Sequence, residues 1–155
     1  MESQQLLALT ICGYKKSGIS EEDYRHYMTK VHAPLVAGLM EKYGFVSWNM
    51  LIRSAVEGPA STAYDDAKMR GQTHNTSETR PLMAKLYDPQ FANVADYDAI
   101  VQIVFKDVED FVRMKADPHF MKSVTPDHEN FADTKRSKMT IGLHTVLLRD
   151  GKVVS

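Results

Sequence analysis

A single cysteine, Cys12, in a chain of 155 residues excludes an internal disulfide framework, and its place in a short apolar run marks it as a small core residue. An excess of charge of one sign is missing too. Nineteen Lys and Arg stand against twenty Asp and Glu, and no basic run occurs, so the chain has neither the field nor the patch that recruits nucleic acid or an anionic membrane. No apolar run approaches the roughly 20 residues that span a bilayer. The opening MESQQLLALTICGY is acidic before it is apolar, unlike a signal peptide, and the expectation is a soluble, cytoplasmic chain. The histidines at 26, 32, 74, 119, 128 and 144 form no H-x-x-x-H or H-E-x-x-H pair, so no metal site is expected. G-x-G-x-x-G, the P-loop and G-x-S-x-G are absent as well, which argues against a nucleotide cofactor and against a hydrolase serine.

What is present fits one domain, residues 1–155, since 43% hydrophobic residues suffice for a core at this length. The most strongly patterned stretch is Ser20 to Met40. Ser20 with Asp23 reads as a shortened capping box, and Glu21, Glu22 and Asp23 place negative charge at the positive end of the helix dipole. Tyr24, Tyr27, Met28, Val31, Leu35 and Leu39 recur at helical spacing as an apolar stripe, with His32 on its flank and His26 on the wet side. Pro34 removes an N–H and crowds the Lys30 carbonyl, so a kink or break is expected over residues 30–34. His32 is then either a core-edge histidine bonded to backbone or a group that does chemistry.

Along the chain, Leu6–Tyr14 reads as a strand, and Gly44 suits the end of the first helix. Phe45–Arg53 is a second strand with Trp48 on its more apolar face. Asp98–Lys106 is a third, and Asp107 caps a helix with Val108, Phe111 and Val112 as its apolar positions. Asp117-Pro118 marks a break, after which two short helical pieces carry Phe120, Met121, Val124 and Phe131. Ser137–Leu148 closes the chain as a strand ending in the turn-like Asp150-Gly151. Between strands two and three, residues 54–95 are rich in turn formers and far exceed the usual connection of roughly 4–6 residues. They read as an insertion that is either a lid or a surface excursion. The order β-α-β-β-α-β predicts an α+β, ferredoxin-like fold with a four-stranded antiparallel sheet and helices on one face. Both faces of strands two and three read as apolar, so a homodimer packed sheet to sheet is expected to cover the second face.

The segment SGISEEDYRHYMTKVHAPLVAGLM, with its acidic helix start, Tyr24 and Tyr27, and His32-x-Pro34-Leu35, resembles the signature of EthD-type domains of the dimeric α+β barrel superfamily. The stretch DPHFMKSVTPDHENFADTKR is similar to the C-terminal part of such domains, with Asp117-Pro118, Phe120, Asp127, Phe131 and Asp133 in family-like places; His128 departs from that pattern. The resemblance implies an aromatic-lined cavity between helices and sheet and a hydrophobic aromatic small molecule as substrate. Like the fungal polyketide-pathway members, it implies cofactor-free decarboxylation of an anthraquinone-precursor acid. Cyclisation or dehydration, oxygenation with or without haem, and non-catalytic binding remain alternatives.

Such chemistry develops an enolate, so the site needs a proton shuttle near neutral pH, a donor to the oxyanion and apolar walls. His32 is the first candidate for the shuttle. Tyr27 and Lys30 are candidate donors, and Asp127 with His128 forms a possible second polar cluster. Tyr24, Trp48, Phe120 and Phe131 are candidate binding residues. His144 either enters the cavity or caps a polar contact in the core. Tyr64, Asp65 and Phe91, with Met69, His74 and Tyr87, offer the apolar bodies and polar tips of a lid.

Overall fold

The computed structural model describes residues 4–53, 85–86, 89–91, 93 and 95–154. Strands β1 (Leu6–Gly13), β2 (Ser47–Ile52), β3 (Ala99–Phe105) and β4 (Lys138–His144) form an antiparallel sheet in the order β2-β3-β1-β4. The register aligns Trp48, Ile103, Leu9 and Ile141 across one face, with Met50, Val101, Ile11 and Met139 in the next row. This face meets the helices, and Val101, Ile103 and Phe105 are buried there. The fold is α+β and ferredoxin-like, as the element order predicts. The far face differs from expectation: its central row is polar, made of Asn49, Gln102, Thr10 and Thr140, although Ala8 and Val104 beside it are buried.

The first helical layer is continuous from Glu21 to Lys42. It comprises α1 (Glu21–His26), a π-helical segment over Tyr27–His32, and α2 (Ala33–Lys42). The Ser20 Oγ accepts from the Asp23 N–H at 3.0 Å, so the predicted cap is made. Gly44, at φ 73°, ends the helix; its N–H reaches the Glu41 carbonyl and that of Phe45 the Met40 carbonyl, a Schellman closure. The irregularity expected near Pro34 takes the form of a widened turn, in which the Ala33 N–H donates to the Met28 carbonyl five residues back. That turn changes which residues face inward. The buried stripe is Tyr24, Met28, His32, Val36 and Met40, an unbroken four-residue step. His32 therefore lies within the stripe rather than on its flank, and Val31 is exposed.

The second layer is built the same way. Asp107 caps α3 (Val108–Ala116) through its Oδ1 and the Glu109 N–H, 3.0 Å apart, and Asp117 breaks the helix in extended conformation. A π-helical segment over Phe120–Val124 then runs directly into α4 (Thr125–Phe131), where two separate pieces were expected. Here the Thr125 N–H donates to the Phe120 carbonyl, and Pro126 follows at once. After β4, a hairpin of β5 (Leu148–Arg149) and β6 (Lys152–Val153) turns on Asp150 and Gly151, both at positive φ, as a two-residue hairpin turn requires.

Candidate active site

A cavity of about 620 Å³ lies between the helices and the sheet. Its walls are mainly apolar, drawn from β1, β2, β3 and β4 and from both helical layers. Val108 and Val112 are exposed where the sequence pattern put core, because they line this cavity instead of packing beneath it. Among the described lining residues, the polar ones other than Tyr24 are His32, Lys115, Thr125, His128, Thr134 and Ser137.

His32 is held from behind. Its Nδ1 lies 2.8 Å from Asp127 Oδ2, and both side chains are buried. A carboxylate oxygen only accepts, so Nδ1 carries a proton and Nε2 is left for the cavity that His32 lines. Asp127 Oδ1 in turn accepts from the Tyr27 hydroxyl at 2.5 Å and from Asn130 Nδ2 at 3.0 Å. Burial pushes the Asp127 carboxyl up, but the hydrogen bonds from Tyr27, His32 and Asn130 outweigh it and hold the group below its ordinary value. The same contact to Asp127 raises the Tyr27 phenol. Phe131 fixes the rings: its centroid is 4.7 Å from that of His32, and it stacks on Tyr27 at 5.3 Å.

His128 stands beside this group, with ring centroids 5.0 Å apart between the two histidines. Its Nδ1 donates to the Thr125 carbonyl at 3.2 Å, one turn back on α4. Burial first, and the neighbouring His32 second, lower its pKa below the usual histidine value.

The EthD domain family matches residues 16–135, a span running from ahead of α1 to just past α4. The chain belongs to the EthD family. Dehydratase aurZ of Gibberella zeae is 54% identical to it over 149 residues, covering 96% of this chain and 84% of that protein. Decarboxylase AgnL1 of Paecilomyces divaricatus is 48% identical over 150 residues, covering 97% and 86%. An EthD-like protein of Ralstonia eutropha shares the fold at a TM-score of 0.51 and 12% identity, with 97% of this chain and 100% of that one covered.

In this EthD chain the residues picked out from sequence divide by position. His32, His128, Tyr24, Trp48, Phe120 and Phe131 all line the cavity. Asp127 and Tyr27 sit behind His32 and do not line the cavity; Tyr27 reaches His32 only through the carboxylate. Lys30 is exposed and does not line the cavity; helical spacing already places it on the polar side of the stripe. His144 lies on the Thr10 face of the sheet, away from the helices, and does not enter the cavity. Its Nδ1 is buried without a hydrogen bond among the described residues, and so is the indole Nε1 of Trp48. Tyr64, Asp65, Met69, His74 and Tyr87 lie outside the described residues. The backbone of Phe91 ends a 3₁₀ turn, Pro89–Phe91, and its side chain lies outside them as well.

Sequence reasoning did not pick out Asn130, Thr125 or Lys115 for the site. Asn130 had a usable signal, since a polar residue three positions after Asp127 shares its helix face. Thr125 contributes a backbone carbonyl, for which side-chain identity carries no signal.

Proposed function

We propose that this protein is a cofactor-independent lyase of aromatic polyketide biosynthesis that decarboxylates a β-keto polyaromatic acid, with His32 moving the proton. The observation that carries the reading is His32 itself, fixed through Nδ1 by a buried carboxylate and presenting Nε2 to a largely apolar cavity. The relatives named decarboxylase and dehydratase point to the same enzyme class. A cavity of this size lies within the roughly 300–1,000 Å³ of small-molecule sites.

In the reaction, the bond between the α-carbon and the carboxylate breaks and carbon dioxide leaves. The electron pair becomes an enolate, whose oxygen faces His32 Nε2 carrying a second proton taken up from solvent. Asp127 keeps the ring in one orientation and balances positive charge on it, while Tyr27 and Asn130 keep Asp127 in place. The α-carbon then takes a proton that His32 relays from solvent. Aromatic walls at Phe120, Phe131 and Trp48 hold a flat ring system.

The test is turnover of naphthoylacetic acid to acetonaphthone, with a metal chelator present. His32→Gln is expected to lower the rate by roughly 10²–10⁴. Tight binding of the acid with no product above buffer would make the chain a binding protein instead. A second reading, dehydration, is favoured by the 54% identity to a relative named dehydratase.

We also take residues 1–155 as a single EthD-like domain that functions as a homodimer. Apolar side chains left exposed on and near the sheet support this, notably Leu51 on β2, Leu143 on β4 and Leu147 just beyond it. Light scattering that returned a monomer at micromolar concentration would refute the dimer.

A further inference from the structure

We propose that His128 is the base of a second reaction in the same cavity, elimination of water from a cyclic β-hydroxy ketone, with His32 as the acid. The inference rests on the lyase reading above and assigns to His128 a role that decarboxylation does not need.

The two imidazoles face each other at a centroid distance of 5.0 Å and an interplanar angle of 53°, and both line the cavity. Each has its Nδ1 engaged by a group that only accepts: a carboxylate oxygen for His32, a backbone carbonyl for His128. Both rings therefore keep their proton on Nδ1 and leave Nε2 for a ligand. Their partners differ in charge, however. Asp127 is hydrogen-bonded to His32, whereas His128 is set against the neutral Thr125 carbonyl; around His128 stand His32 and Lys115 on the positive side and Asp127, which it does not bond, on the negative. The carboxylate on its Nδ1 thus suits His32 to carry a proton on Nε2 as the acid, while His128, bonded only to a carbonyl, offers the lone pair of its Nε2. Burial and the adjacent His32 act in the same direction on His128. The result is one acid and one base on neighbouring walls, close enough to serve groups on adjacent carbons.

Elimination uses such a pair. His128 Nε2 takes the proton from the carbon α to the ketone, and the C–H electron pair forms the new carbon–carbon double bond. The β C–O bond breaks as His32 Nε2–H delivers its proton to the departing oxygen, so that water leaves. At the end His128 is protonated and His32 is neutral. Solvent, which half-buried His128 can meet, resets both. Substrate loses one water and nothing is oxidised. Decarboxylation differs because its electron pair comes from a carbon–carbon bond, so no base has to remove a C–H proton. His32 serves both reactions, and His128 separates them.

The experiment compares two substrates on the full chain: naphthoylacetic acid, which decarboxylates to acetonaphthone, and a tetralone carrying a hydroxyl β to its ketone, which dehydrates to naphthol. His128→Gln is expected to lower dehydration by roughly 10²–10⁴ and decarboxylation by less than about tenfold, so that the ratio of the two rates moves by at least about tenfold. His32→Gln is expected to lower both. His128→Asn serves as a second variant that keeps an N–H toward the Thr125 carbonyl, and both variants are checked for a cooperative thermal transition. An unchanged ratio in the His128 variants, whether both rates fall together or neither falls, overturns the assignment. So does a wild-type chain that decarboxylates the acid but leaves the hydroxyketone untouched, an outcome under which the decarboxylase reading survives. Turnover of neither substrate sinks both.

Discussion

Replacing Asp127 by Asn is the most informative single change, because the three donors around this carboxylate cannot all be satisfied by an amide. Oδ1 receives Tyr27 and Asn130, and Oδ2 receives His32 Nδ1–H. If the amide oxygen stays toward Tyr27 and Asn130, its NH₂ confronts the Nδ1 proton of His32. If it turns over, the NH₂ confronts the other two donors. The first orientation sacrifices one contact and the second sacrifices two, so the first is expected. His32 must then shift its proton to Nε2 and accept at Nδ1, which stops its proton cycling. Decarboxylation is expected to fall by roughly 10²–10⁴. Hydrogen bonds to a charged group contribute about 1.5–3 kcal/mol each, and the amide retains part of them, so the variant should lose about 2–3 kcal/mol of stability. For a chain of this length that is a fall in Tm of roughly 4–12 °C. The pH dependence has a definite sign. Asp127 is held below its ordinary value, so its contribution is present above about pH 4 and fades as pH falls through the folded-state value. The gap between wild type and variant should therefore be widest near neutrality and close in acid. Paired thermal melts and decarboxylation rates measure both effects. A variant with lowered Tm but wild-type turnover would refute the orienting role and leave Asp127 a structural residue.

Other changes probe separate parts of the structure. Phe131→Ala removes a buried ring packed on His32, Tyr27 and Tyr24, and should cost about 3–5 kcal/mol in denaturant titration; a much smaller loss would mean that the cluster repacks. Lys30→Ala should leave both turnover and Tm essentially unchanged, within about 0.5 kcal/mol, since the residue is exposed; a large rate loss would return it to the site. Asp117 is held at about 2 by hydrogen bonds from Lys42 and Tyr43 and by the His119 N–H. Its stabilisation is thus present above about pH 4 and lost as pH falls toward that value, and Asp117→Asn should flatten the acid limb of a stability-against-pH curve.

The strands were legible because each is a short apolar run bounded by turn formers, and the caps at Ser20, Asp107 and Gly44 were legible because each needs a particular side chain or a positive φ. His32, Asp127, Tyr27 and His128 were each visible as candidates from residue type and family resemblance. Their assembly was not, since His32 and Asp127 are 95 residues apart and nothing in local spacing encodes the pairing. Val31 was misplaced because a regular α-helix was the ruler and the turn ahead of Pro34 is one residue wider; Lys30 was a candidate by its chemistry alone and is exposed.

That wider turn also explains why the site is where it is. Each helical layer contains a segment closed by a five-residue hydrogen bond, and each segment ends two residues before a proline, Pro34 in one and Pro126 in the other. Proline cannot donate and crowds the carbonyl four residues back, so a helix that continues through it must widen or bend. Widening resets the rotation of everything downstream by part of a turn. In the first layer it brings His32 into line with Tyr24, Met28, Val36 and Met40, a polar residue on an otherwise apolar stripe. In the second it turns Asp127 toward His32 and leaves His128 on the cavity wall. A regular helix through both prolines would separate the carboxylate from the imidazole. The two prolines thus stand outside the chemistry and still determine it: they fix the rotation at which two helices, distant in sequence, present a carboxylate and an imidazole to each other.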